Sequence, residues 1–261
     1  MSASIITLLT DFGESDGFVG TMKGVIYGIN PDVKIVDISH DIEPQNTSEA
    51  AFVLRNSYRY FPDGTIHVIV VDPGVGSVRR ILCVSANNQY FVAPDTGVLK
   101  YIYHECDDVL VVNVSNRKYF LSFVSQTFHG RDIFSPVAAH LSRGVDMREL
   151  GEAITDYERG QIPELSEKAN VIEGEVVHID RFGNLISNIP FNKLENRDKL
   201  RVRVKNLTID SLANSYAQVK TRRPVALIGS SGFLEVAYNL GNAKEELNCA
   251  IGEKIAVIFD D

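Results

Sequence analysis

Two rhythms of apolar residues divide this chain. In the first 158 residues, short continuous apolar runs alternate with segments whose apolar positions recur every three or four residues. Beyond that point, short β-like runs follow one another with a single helical interruption. Residues 4–9 read as a short strand. Phe18, Met22, Val25, Ile26 and Ile29 repeat at helical spacing and predict a helix over 17–29. After the turn signal Asn-Pro-Asp, residues 33–38 form a strand pattern. Ala51, Leu54, Tyr58 and Phe61 share one face of a helix predicted over 47–61, with Thr47 or Ser48 as its cap. Residues 65–71, TIHVIVV, are so apolar that they predict a strand buried on both faces, as in a parallel sheet. Residues 81–85 and 89–92 flank Ala-Asn-Asn, a hairpin signal. A helix over 96–104, a strand over 109–114 and a helix over 132–141 capped by Asp132 complete the first region.

Strand–helix–strand alternation predicts an N-terminal α/β domain, residues 1–158, with a mostly parallel sheet and right-handed connections. The polar stretch ERGQIPELSEKAN places a linker at 159–169. Strand patterns at 171–180, 185–189, 200–204, 225–228, 233–237 and 254–259, with one helix over 239–247, predict a smaller C-terminal mainly-β domain, 170–261. It would be a barrel or sandwich. No internal repeat or low-complexity tract appears.

Composition narrows the partners. The formal net charge of −8 argues against nucleic acid and anionic membrane surfaces, both of which reward basic patches. Cys83, Cys106 and Cys249 stand far apart without a CxxC pair, which suggests neither a zinc site nor a disulfide framework and fits a reducing cytoplasm. The opening apolar stretch IITLL is too short for a signal peptide. No segment approaches the ~20 apolar residues of a membrane span.

Two motifs mislead. Asp11-Phe12-Gly13 copies the magnesium motif of kinases, yet it stands at the start of the chain with no nucleotide loop before it. Gly74-Val75-Gly76-Ser77 looks like a phosphate cradle, but such loops need a helix N-terminus after them, and here the strand ILCVS follows. What remains is a set of polar residues at strand ends: Asp11 after the first strand, Asp37, His40 and Asp41 after the second, Asp72 after the third, and Asp95 past the hairpin. Parallel strands bring their C-terminal ends to one edge, so Asp11 and Asp72 are expected to share a crevice. Asp37, Asp41 and Asp95 also suit turn or cap duty. Pro73 holds Asp72 extended. His129, in Phe128-His129-Gly130-Arg131-Asp132, sits on a Gly-hinged turn where a proton carrier is useful; Arg131 and Asp132 suit the turn and cap, and His67 suits the core. In the second domain, Ile179-Asp180-Arg181-Phe182-Gly183-Asn184 offers a carboxylate, an aromatic ring and an amide in one turn, and Gly229-Ser230-Ser231-Gly232 lets a ligand approach the backbone.

TDFG, VVDPGVGSVRR, FHGRD and IDRFGN, in this order, resemble the S-adenosyl-L-methionine hydroxide adenosyltransferases, relatives of fluorinases and chlorinases. The resemblance runs over essentially the whole chain. It implies hydrolysis of S-adenosyl-L-methionine to adenosine and L-methionine, by attack of an activated water or hydroxide at ribose C5′. It implies Asp72, Arg79 and His129 as the catalytic set and Asp11 as the ribose-diol ligand; the residues themselves agree, since the glycine turn after Asp72 can bring Arg79 back beside it and leaves Arg80 a bystander. It further implies Asp180 at the methionine ammonium, Asn184 and Tyr216 at the adenine, and Ser230 near the methionine carboxylate. Ser231 departs from the halogenase pattern, which carries Arg there. Family members are typically homotrimers with sites between subunits. The sulfonium is already a good leaving group, so no metal or cofactor is expected; the small molecule is the substrate. The residues leave open which of Asp72 and His129 takes the proton. They also leave rivals: a metal-dependent hydrolase using Asp11, Asp37 and Asp72 with His40 or His129, a binding module without turnover, and a halide-dependent transferase.

Overall fold

The computed structural model describes residues 4–195 and 199–259. They fall into two compact units, residues 1–161 and 162–261. The first contains β1 (Ile5–Thr10), α1 (Phe18–Ile29), β2 (Lys34–Ser39), α2 (Thr47–Ser57), β3 (Ile66–Val70), β4 (Ile81–Ala86), β5 (Gln89–Pro94), α3 (Lys100–Glu105), β6 (Leu110–Val114), α4 (Ser135–Ser142) and β7 (Gly151–Ala153). Its sheet runs in the order β2-β1-β3-β5-β4-β6-β7. The four strands from β2 to β5 pair in parallel. The β4–β5 hairpin then reverses direction, and the remaining pairs are antiparallel. Asn87 and Asn88 turn that hairpin with φ of 49° and 57°, left-handed values that asparagine tolerates better than most residues.

Every residue of β3 is buried. Ile66, Val68 and Val70 join the core beneath α1 and α4, whereas Ile69 and Val71 join the core beneath α2 and α3. This two-sided alternation is what the uninterrupted apolar run required. Parallel β1 and β3 run in register from Ile6↔Ile66 to Thr10↔Val70, so Asp11 and Asp72 leave the sheet at one edge.

Local details differ from the sequence pattern. Asn46, not Thr47 or Ser48, caps α2: its Oδ1 accepts from the Glu49 amide at 3.0 Å. The predicted 47–61 helix ends at Ser57 and tightens into a 3-10 turn over Tyr58–Tyr60. The helix predicted from Asp132 opens instead on a widened π turn, Gly130–Phe134, and Asp132 caps nothing. Its carboxylate accepts from the Ser125 amide at 2.8 Å and hydroxyl at 2.7 Å, tying the preceding loop to the helix start.

The second unit holds β8 (Ser166–Lys168), β9 (Val171–Ile179), β10 (Leu185–Pro190), β11 (Leu200–Val204), β12 (Leu207–Ile209), β13 (Leu212–Ala213), β14 (Pro224–Ile228), β15 (Phe233–Tyr238), α5 (Ala243–Leu247) and β16 (Lys254–Phe259). The strand order is β12-β11-β16-β9-β10-β15-β14-β13, with β8 on β9 inside the stretch read as a linker. β11 comes back against β13 and β12 against β14, so the sheet curls almost into a barrel around Val176, Leu185, Val202, Leu234 and Val257. The helix predicted over 239–247 shrinks to α5 because Asn242 caps it, its Oδ1 accepting from the Glu245 amide at 3.1 Å.

Candidate active site

The loop after β3 doubles back on itself. Ser77 Oγ donates to the Gly74 carbonyl at 2.7 Å and accepts from the Arg79 amide at 3.2 Å, folding the chain so that Arg79 returns beside Asp72. Gly76 stands at φ 76°, and any side chain there would strike the Gln126 carbonyl. Arg79 grips Asp72 with two donors: Nε to Oδ1 at 2.9 Å and Nη2 to Oδ2. The Gly74 amide adds a third donor to Oδ1 at 3.2 Å. Only 9% of the Arg79 side chain and 5% of the Asp72 side chain is exposed, so this is a water-poor ion pair.

Nη2 of Arg79 also donates to His129 Nδ1 at 2.8 Å. A guanidinium has no lone pair to offer, so Nδ1 must be the acceptor, and the ring is neutral with its proton on Nε2. Burial, and then the adjacent Arg79 charge, hold the imidazole below its ordinary pKa; the Asp72 and Asp132 carboxylates oppose this weakly. Arg79 also lies 5.7 Å over the buried Phe134 ring, which fixes its plane. The order of contact is therefore Asp72–Arg79–His129, with the cation in the middle.

Asp72 and His129 open into a cleft of about 170 Å³, lined also by Asp11, Phe12, Gln45, Val70, Val75 and Phe128. Asp11 Oδ2 accepts from the Gln45 amide at 2.8 Å. The Phe12 and Phe128 rings on its wall meet each other and Phe18 at 5.2–5.8 Å. A cleft this small takes part of a nucleoside-sized ligand, since whole drug-sized ligands occupy ~300–1,000 Å³ pockets.

The second unit gathers its own cluster. Asp180, at the end of β9, accepts from the Phe182 amide, the Asn184 amide and Asn184 Nδ2, each at 2.9 Å. Asn184 is buried, while Phe182 stays 75% exposed. Tyr216, partly exposed, donates its hydroxyl to Glu235 Oε1 at 2.5 Å. Glu235 is the residue that the sequence reading missed. It lies on β15 in an apolar run, FLEVA, where alternation alone assigns it no ligand face. It is 5% exposed and packed so close to Gly229 that any side chain there would strike its Oε2. Burial raises its pKa, the Tyr216 bond opposes the rise, and repulsion from Asp180 adds to it. Burial, the Glu235 bond and the charges of Glu235 and Asp180 likewise raise the Tyr216 phenol. Among the described residues, no Lys or Arg forms an ion pair with Asp180 or Glu235. Ser230 is exposed on the adjoining loop.

Other strand-end residues do different work. Arg80 points away from Asp72, pairing with Asp95 at 2.9 Å and Asp156 at 2.8 Å. Asp95 also accepts from the Glu158 amide, so this pair ties the end of the first unit to its sheet. Arg131 pairs with Asp132 at 2.6 Å. His67 is a core residue, bonded to Thr7 and Gln89 and stacked on Phe91; burial lowers its pKa to about 4. Among the described residues, no three His, Cys, Asp or Glu side chains converge as a metal site. No helix among them is long and apolar enough to cross a membrane.

Two family models match the chain: SAM hydroxide adenosyltransferase N-terminal domain over residues 6–151, and SAM hydroxide adenosyltransferase C-terminal domain over residues 174–256. The (R)-S-adenosyl-L-methionine hydrolase of Methanocaldococcus jannaschii is 35% identical, over 98% of this chain and 96% of that protein. The enzyme of the same name from Salinispora tropica is 31% identical, over 97% of each. A crystal structure of an uncharacterized conserved protein from Thermotoga maritima superposes with a TM-score of 0.90 at 38% identity, covering 97% of this chain and 99% of that one.

Proposed function

The chain belongs to the SAM hydroxide adenosyltransferase family, and from that premise we propose that it hydrolyses S-adenosyl-L-methionine to adenosine and L-methionine. The observation that carries the mechanism is the contiguous Asp72–Arg79–His129 set opening into the cleft at the β1/β3 edge. The oxygen of one water attacks C5′. The C5′–S bond breaks, its electron pair returns to sulfur to give the neutral thioether of methionine, and the water proton passes to a protein base.

Asp72 is that base in this reading. A carboxylate offers about four lone-pair sites. Arg79 and Gly74 take two on Oδ1 and Arg79 takes one on Oδ2, which leaves one on Oδ2 for a water. His129 spends Nδ1 on Arg79, so it steadies the guanidinium rather than accepting the proton. Arg79 supplies fixed positive charge beside the developing hydroxide. Asp11 holds the ribose diol and Asp180 the methionine ammonium. Asn184 and the Tyr216 ring hold the adenine, and Ser230 lies near the carboxylate. No metal or cofactor is needed, because a sulfonium departs without acid assistance. The names of the relatives specify the R configuration at sulfur, and the R epimer is the proposed preferred substrate here too.

The assembly is proposed to be a homotrimer working in the cytoplasm, with each site shared between subunits. The exposed Val78, on the loop whose Val75 lines the cleft, is apolar surface that a neighbouring subunit would cover. The test is incubation of separate R and S epimers in heavy-oxygen water, followed by mass spectrometry. Heavy oxygen in the adenosine 5′-hydroxyl, formed faster from the R epimer, is expected. Intact substrate after hours would make the protein a binding module, a halo-adenosine formed with added chloride would make it a halide transferase, and loss of activity on chelation would favour the metal-dependent rival.

A further inference from the structure

A chain of polar side chains lies behind Asp11, and none of the motifs accounts for it. β1 and β2 run in parallel register as far as Leu8↔Asp37. The next pair is Leu9↔Ser39, so Ile38 is an extra residue on β2. Bulges of this kind re-aim the residues that follow them. Here the chain turns His40 back towards the end of β1. His40 is 7% exposed, and its Nδ1 lies 2.9 Å from Thr10 Oγ1. Thr10 is fully buried, and its Oγ1 also accepts from the Phe12 amide at 3.3 Å. On its other side the ring faces the Asp37 carboxylate, which can only accept, so the imidazole proton belongs on Nε2 and Nδ1 accepts from the Thr10 hydroxyl. Nε2 lies 3.1 Å from Asp37 Oδ1, off the ideal hydrogen-bond axis. Asp37 pairs with Lys23 of α1 at 2.5 Å. Burial raises the Asp37 pKa, but the bonds from Lys23 and His40 outweigh burial and hold it below the usual carboxylate range. The backbone joins in, since the His40 carbonyl accepts from the Gly13 amide at 2.8 Å.

The relay Lys23–Asp37–His40–Thr10 thus ends on the amide of Phe12, in the turn that places Asp11 and Phe12 on the cleft wall. None of its four members lines the cleft. A second Thr–His pair on the same strand shows what a purely architectural version looks like. Thr7 bonds His67 Nδ1 at 2.7 Å, and His67 Nε2 meets Gln89 at 3.2 Å. That pair closes on backbone carbonyls at the far end of the core and reaches no cleft residue. We infer that His40 is a positioning residue, which fixes the Asp11–Gly13 turn through Thr10 and so aims the Asp11 carboxylate at the ribose diol. This inference rests on the proposed role of Asp11.

Three variants test it: His40→Gln, which moves the polar end away from Thr10; His40→Asn, which keeps a polar atom near the Nδ1 position; and Thr10→Val, which deletes the hydroxyl at nearly constant shape. Calorimetric binding of adenosine is compared with that of 2′,3′-dideoxyadenosine, beside KM, kcat and melting temperature. For His40→Gln and Thr10→Val, adenosine binding and KM should weaken about tenfold, the size of one lost aligned hydrogen bond, while kcat changes less than about threefold. The dideoxynucleoside, with no diol to meet Asp11, should bind the variants and the wild type alike, and His40→Asn should recover part of the loss. Equal weakening of both nucleosides, or no weakening in either variant, overturns the inference. If wild-type protein binds both nucleosides with equal affinity, the ribose reading itself fails. Hydrogen exchange at the Phe12 amide then decides the relay: faster exchange in His40→Gln and Thr10→Val keeps it, and unchanged exchange removes it.

Discussion

The two polar clusters handle charge in opposite ways. Around Asp72 every charge has a partner: the carboxylate takes three donors, one cation sits at its centre, and a neutral imidazole accepts the spare N–H. Around Asp180 and Glu235 the donors are amides and a phenol, and no cationic side chain among the described residues pairs with either carboxylate. Burying a carboxylate without a countercharge is costly. A cluster that is neutral overall suits a neutral guest such as water. A cluster with unbalanced negative charge is completed by a positive guest, and the proposed substrate carries an ammonium and a sulfonium. The contrast supports the proposed division, with chemistry in the first unit and cation recognition in the second.

The sharpest way to break the contrast is Asp72→Asn, which leaves Arg79 without its countercharge and the water without a base. We expect kcat to fall about a hundredfold to ten-thousandfold with binding little changed. A matching loss of substrate affinity would make Asp72 a binding residue instead. Next in size are Asp180→Asn and Glu235→Gln. Each should weaken cationic S-adenosyl-L-methionine by about tenfold or more and neutral adenosine by less than about threefold, as removal of one charge contact predicts. Equal losses for both ligands would show that the second cluster reads shape, not charge.

A smaller effect is the pH profile. His129 must be neutral to accept from Arg79, and its pKa is lowered from 6.5 by burial and by Arg79. Protonation removes that acceptor, so kcat/KM should fall only as pH drops below 6.5, with a plateau above. A flat profile through that range would mean that the imidazolium is tolerated, and a fall as pH rises through it would mean that the imidazolium is required. Smallest is Arg80→Gln. The neighbouring arginine serves Asp95 and Asp156, so kcat should stay within about twofold while the melting temperature falls by a few degrees, as for a partly exposed ion pair.

Much of this architecture was legible because its signals are local. TIHVIVV could only be a strand covered on both sides, Ala-Asn-Asn could only turn a hairpin, and Asp72 followed by Pro73 had to leave the sheet at its C-terminal edge. Helix ends were less legible. Asn46, Thr47 and Ser48 all make good caps, and only the path of the chain into α2 selected Asn46. Asp132 reads as a cap by type, but the loop from Ser125 claimed its carboxylate first. Glu235 was invisible because burial and alternation place it in a core strand, and its meaning depends on Tyr216, nineteen residues away, and on the bare backbone of Gly229.

The sequence by itself determined the two-part layout, the strand edge that carries Asp11 and Asp72, and, through its ordered motifs, the family. Those follow from periodicity and residue type, which act over a few positions. Only the tertiary structure decided who holds whom. It spent His129 Nδ1 on the guanidinium and folded His40 back onto Thr10 through one extra residue in β2. Hydrogen-bond partners are chosen at about 3 Å, between atoms that the chain brings together from thirty to fifty residues apart, and no local pattern encodes that distance.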